Sequence, residues 1–211
     1  MRIHPTRHAS SERVRNLHRI PLRQQLALLT LGVVALAAIV WIAASVALDR
    51  PRADGPLSSA SGYAVRAPLA PGETFSWSVG LPFNHSDRDA VLRAVDLVGV
   101  HGIDVLAIVA TYGVERPDGS CLAAGATYGF PPSAPQPDGT TYEYPTHEIV
   151  GVVVPSERNR TCTTHPSISV GVRRTEGTDP GGFEALRVRY EYAGVHYEVV
   201  LPWSLTVEPK Q

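Results

Sequence analysis

Residues 26–48 read LALLTLGVVALAAIVWIAASVAL, twenty-three positions without a charge, and no other feature of the chain limits its fold as strongly. A helix of that length rises about 34 Å and matches a hydrocarbon core of about 30 Å. Twelve of the residues are Leu, Ile or Val. Each favours insertion by about 0.3–0.6 kcal/mol at a central position, and no acidic or basic side chain opposes them. The pattern predicts one transmembrane α-helix over 26–48.

A signal peptide shares this arrangement of basic residues, apolar run and small residues, and Ser45-Val46-Ala47 would serve as its cleavage site. The run is longer than the roughly 7–15 residues of a signal core, and the polar segment before it is long for such a peptide. Retention as a signal anchor is therefore the expectation, with cleavage after Ala47 as the alternative. Six arginines (Arg2, Arg7, Arg13, Arg15, Arg19, Arg23) precede the run, and only Arg50 and Arg52 follow closely. The positive-inside rule then places the N-terminus in the cytoplasm and the body outside, in a single-pass protein of the plasma membrane.

The net charge of −1 hides a split: residues 1–23 carry +5, which leaves −6 for the rest. The basic tail, residues 1–25, and the helix are expected to contact membrane lipid. The acidic body lacks the basic stripe that nucleic-acid binding needs, so no nucleic-acid partner is expected. Residues 49–61, DRPRADGPLSSAS, read as a flexible linker, and residues 62–211 as one extracytoplasmic domain.

Within that domain short apolar runs alternate with turn clusters, at about 72–80, 90–100, 103–112, 147–154, 167–173, 184–192 and 195–207, with no competing helical period. The pattern predicts an all-β antiparallel β-sandwich. In EALRVRYEYAGVHYEVVL a turn at Ala193-Gly194 pairs Tyr190 with Tyr197 and Val188 with Val199 on one face. The same register sets Arg189 opposite Glu198 and Glu191 opposite His196 on the other, which reads as a solvated sheet face. Residues 103–111 are apolar on both faces apart from Asp104, which predicts a central strand.

More than thirty residues separate the strands near Tyr112 and His147, an uncommon length for a structureless loop. This connection holds Cys121, and the next, PSERNRTCTTHPS, holds Cys162; outside the membrane the pair reads as a disulfide. Closing a loop of about 42 residues stabilises by roughly 4 kcal/mol in a chain-entropy treatment. The bond is expected to tie both connections to one end of the domain.

Catalytic and metal signals are weak. The body histidines lack HxH or HxxxH spacing, although His147 with Glu148, and His165 near Cys162, could converge. There is no GxSxG, GxGxxG or GxxxxGK[ST] motif. No enzyme activity, cofactor or metal is expected, and no catalytic residue is assigned.

The basic tail, apolar helix and Pro/Ser linker, followed by FSWSVGLPFNHSDRDAVLRAVDLVG, ISVGVRR and LRVRYEYAGVHYEVVLP, resemble single-pass membrane proteins of actinobacteria with an immunoglobulin-like extracytoplasmic domain. The likeness covers roughly 59–209, and its most recognisable parts are Asn84 in a turn before a strand and the Tyr190–Tyr197 hairpin. It implies an immunoglobulin-like fold and an extracytoplasmic location, and it brings no catalytic residues. The Trp flanked by cysteines of antibody domains is not matched, since Trp77 precedes both cysteines and Trp203 follows them. The expected function is a membrane-anchored binding or accessory module that presents loops 114–146 and 155–167 to a protein or cell-envelope partner. The alternative is an envelope enzyme or solute receptor with a pocket that spacing does not reveal.

Overall fold

The structure, a computed structural model, describes residues 22–48, 50–58, 62–81, 83–116, 118–135, 139 and 141–210. The chain divides into two units between Asp49 and Arg50. The first contains helix α1, Leu22–Leu48, which begins four residues before the charge-free run. Its side chains are described over 30–43, where every residue is exposed. Within the described residues no helix is long and apolar enough to cross a membrane. Of the expected tail, 1–25, residues 22–25 belong to α1 and 1–21 lie outside the described residues.

The second unit is built from β1 (Leu57–Ser58), β2 (Tyr63–Leu69), β3 (Thr74–Gly80), β4 (Phe83–Asn84), β5 (Ala90–Val98) and β6 (Ile103–Tyr112). Five short strands follow: β7 (Val114–Glu115), β8 (Cys121–Leu122), β9 (Ala126–Tyr128), β10 (Ser133–Pro135) and β11 (Thr141–Glu143). The remainder are β12 (Val153–Val154), β13 (Pro166–Arg174), β14 (Gly181–Phe183), β15 (Ala185–Tyr192), β16 (Val195–Leu201) and β17 (Trp203–Pro209). The larger sheets have the orders β12-β5-β15-β16, β6-β13-β3-β9 and β14-β17-β2.

Side-chain alternation explains the central strands. Leu186, Val188 and Tyr190 of β15 are buried, while Arg187 and Arg189 between them are exposed. The β15–β16 hairpin adopts the register read from the sequence, with Tyr190 opposite Tyr197 and Arg189 opposite Glu198. Phe75, Trp77 and Val79 of β3 lie opposite Val172, Val170 and Ile168 of β13. These six join Leu92, Val95, Leu186, Val188 and Tyr190 in one buried cluster, so both four-stranded sheets contribute to a single core. Burying each large apolar side chain stabilises by about 1.5–3 kcal/mol. The unit is an all-β sandwich.

Several expectations change. Strand β6 is at the edge of its sheet rather than at its centre. It is apolar on both faces because one lines the core, through Ile103, Ile108 and Ala110, while Ala107 and Val109 on the other stay half-buried. Only Val153–Val154 of the expected 147–154 strand pairs along an edge, and His147 makes one isolated bridge to Ala110. The expected strand 195–207 is divided at Pro202 into β16 and β17, which belong to different sheets. Proline supplies no ladder N–H, so a sheet change is accommodated there. Strand β2, absent from the sequence reading, runs parallel to β17 at the edge of its sheet, where Pro68 is tolerated.

The segment expected as a flexible linker packs on the sandwich instead. Leu57 is buried in the core, and its N–H donates to the Tyr190 hydroxyl over 3.3 Å. Arg52 N–H donates to His196 O, and Glu198 N–H donates to Arg52 O. Residues 59–61 lie outside the described residues. Periodicity misses this segment because irregular backbone and one apolar side chain hold it.

The long connection after β6 is also not structureless. It contains β7 to β11 and folds across the outer face of β3 and β13. That face carries Ser76, Ser78, Ser167, Ser169 and Gly171, all buried. Ser76 Oγ donates to Gly129 O, the Ser78 and Ser169 hydroxyls pair, and Thr111 Oγ1 lies 3.0 Å from Ser169 Oγ. A Cβ at Gly171 would fall inside the Phe130 ring, so the missing side chain makes room for the cover. Alternating serines ordinarily mark a solvated face. Here hydroxyl bonding lets the same pattern be buried.

Candidate functional site: a cleft beside the disulfide

Cys121 of β8 and Cys162 are joined as a disulfide, with Cα atoms 5.6 Å apart. Gly113 packs against it: a Cβ there would lie 2.8 Å from both sulfurs. The bond links the cover over the serine face to the segment before β13. It does not gather all of 114–146 at one end, since β9 pairs with β3 on the sheet.

The segment 156–165 is held by local hydrogen bonds. Ser156 N–H donates to Asp89 Oδ1 over 2.8 Å, and residues 157–159 form a 3-10 turn. Thr164 Oγ1 donates to Asn159 O over 3.0 Å, Thr161 N–H donates to Thr164 Oγ1 over 2.8 Å, and His165 N–H donates to Thr161 O. This framework sets Arg160 over Phe83 of β4, with the guanidinium carbon 4.4 Å from the ring centroid. The His165 ring stacks with the same ring at 6.3 Å and 15°.

Between these residues and the strand ends lies a cleft of about 550 Å³. Trp77, Val79 and Leu81 line it from β3 and its end, Tyr63 and Val65 from β2, Trp203 from β17, and Phe83, Arg160 and His165 from the other side. Trp77 and Trp203 are buried, whereas Tyr63 and Phe83 are 53% and 40% exposed. Tyr63 meets Trp203 edge-on at 5.8 Å. A second hollow of about 430 Å³ shares Arg160 and His165 and is bordered by Gly113, Ala124 and the disulfide.

His165 Nε2 lies 3.2 Å from Leu81 O, which can only accept, so Nε2 carries the proton. Its Nδ1 is buried without a hydrogen-bond partner among the described residues. Burial, and then the charge of Arg160, hold the His165 pKa below the ordinary histidine value, against the opposing bond to Leu81.

Other sequence candidates resolve separately. Arg189, Glu191, His196 and Glu198 are joined by Arg93, Asp96 and Arg187 in a ladder on the outer face of β5, β15 and β16. Its ion pairs are Arg93–Glu191, Arg189–Asp96, Arg187–Glu198 at 3.5 Å and Arg189–Glu198 at 4.0 Å, and His196 Nε2 lies 3.8 Å from the Glu191 carboxylate. The Arg93 hydrogen bond and charge hold the Glu191 carboxyl below its ordinary range. His147 packs on Tyr112 at 5.4 Å, and no group of three or more metal-ligating side chains occurs among the described residues. Asn84 is buried, its amide donating to Arg88 O and Val154 O, which fixes the turn before β5.

Of the named site residues, the structure brings Cys121 and Cys162 together. The cleft residues Tyr63, Trp77, Phe83, Arg160, His165 and Trp203 come from five separate stretches, and only the nearness of Arg160 and His165 to Cys162 offered a signal. No family model matches the sequence, and the curated proteins contain no match to it.

Proposed function

We propose that this chain is a membrane-anchored extracytoplasmic binding module, with helix α1 as the anchor, an immunoglobulin-like sandwich as the body, and the aromatic-lined cleft as its binding site. The cleft carries the reading: it is preformed on buried Trp77 and Trp203, edged by two exposed aromatic rings and lined by one arginine. The immunoglobulin-like assignment is supported by strands β6-β13-β3 in one sheet against β5-β15-β16 in the other, with β2 parallel to β17. The anchor rests on the uncharged run of 26–48 and the arginines before it. A solute-receptor reading of the same site is favoured by the cleft volume, which lies within the roughly 300–1,000 Å³ of small-molecule sites.

N-terminal sequencing of membrane-fractionated protein tests the anchor. A chain that retains the apolar run in the membrane fraction is expected; one that begins at Leu48 would remove the anchor. For the binding surface, full-length protein purified in mild detergent should retain a partner that an Arg160→Glu variant loses without a change in Tm. Undiminished capture by that variant would move the surface elsewhere.

A further inference from the structure

We propose that the cleft binds a small anionic amphiphile: a flat apolar group seated between Tyr63 and Phe83, with a single negative charge held by Arg160. This inference rests on the binding-site reading above and names its ligand class. Several arginines of the sheets are taken up by partners. Arg66 pairs with Glu208, Arg93 with Glu191, Arg187 with Glu198, and Arg189 with Asp96. Arg174 donates to the carbonyls of Leu69 and Gly177. Arg160 is the arginine that lines the cleft, where it lies over the Phe83 face, and no carboxylate pairs with it among the described residues. A guanidinium stacked on a ring keeps its N–H donors in its own plane, directed past the ring edge, where a carboxylate or phosphate oxygen can be met by two of them.

The rest of the lining fixes the partner's character. Among the described residues no Asp or Glu lines the cleft. His165 is held neutral by burial and by Arg160 itself, so the site offers one positive charge rather than two. Trp77, Val65, Val79, Leu81 and Trp203 supply an apolar floor, beside which stand the hydroxyl residues Ser58 and Ser78. Tyr63 and Phe83 are two of the three exposed aromatic residues described in the second unit, and both lie at this cleft. Exposed rings grouped around an apolar hollow are a surface that association covers.

Calorimetry on the full chain in a nonionic detergent tests the assignment, with 2-naphthoate and its neutral counterpart 2-naphthamide as probes and detergent-only titrations subtracted. Saturable one-to-one binding of 2-naphthoate, about tenfold tighter than 2-naphthamide, is expected for a carboxylate on a guanidinium. Arg160→Gln should bring both probes to the same affinity, while Phe83→Ala weakens both. Equal affinities in the unaltered protein, or a preference that survives Arg160→Gln, would overturn the anion assignment and leave the binding-site reading standing. Saturation by neither probe would overturn both. The contrast between the probes in the unaltered protein decides the charge even where a variant fails to fold.

Discussion

His165 shows how a single residue is set by its surroundings. The Leu81 carbonyl selects the Nε2–H tautomer, and burial with the Arg160 charge disfavours a second proton. Its folded pKa is lowered, so the unfolded chain binds that proton first as the pH falls. The stability contribution is therefore complete above the ordinary histidine pKa of about 6.5 and is lost progressively below it. Urea midpoints at about pH 7.5 and about pH 5.5 should differ less for His165→Gln than for the unaltered protein. An identical drop in both would place the titrating group elsewhere. The sequence showed a histidine three positions after a cysteine and five after an arginine; the carbonyl of Leu81 and the ring of Phe83 come from a segment far along the chain.

At the scale of elements, the β15–β16 hairpin was legible because both of its faces encode the same register. Its turn has Ala193 at φ 50° and Gly194 at φ 75°, two left-handed residues as in a type I′ turn. Alanine pays for that backbone with steric strain, which asparagine tolerates better. Ala193→Asn should stabilise the domain by about 0.5–1 kcal/mol in urea unfolding. A neutral or destabilising result would mean that the strand pairs hold the turn without help from its residues. Strand β6 illustrates the opposite case, since an apolar strand was read as central and lies at an edge. A register shift opposite Gly171 and Val172, the charge of Asp104 and the bridge from His147 to Ala110 interrupt that edge. Such features hinder edge-to-edge pairing, and none of them can be told from composition.

Across the second unit the disulfide spans 41 positions and joins the cover of the serine face to the segment that carries Arg160. Reduction should cost about 2–4 kcal/mol of unfolding free energy. Labelling of the unfolded, unreduced protein should find no free thiol. A reduced form as stable as the oxidised one would mean that the hydroxyl network and Phe130 against Gly171 hold the cover alone. Residues of the cover contribute little to the main core, whereas β3, β13, β5 and β15 supply most of it. The cover is accordingly the part expected to loosen first on reduction, as faster amide exchange over 114–146 would show.

The chain by itself determined what depends on neighbours in sequence: the charge-free run, the strand character of 90–98 and 185–201, the hairpin register, and a disulfide, because only two cysteines are present. These follow from period and count, which are local properties. Tertiary structure decided what covers each face and which side chains converge. The serines of β3 and β13 have the spacing of a solvent face and became buried because a distant segment satisfies their hydroxyls. Arg160, Phe83, Tyr63 and the two tryptophans form one cleft because separate strands end at the same place. Alternation records that a face differs from its opposite, and only packing determines whether water, a cover or a ligand meets it.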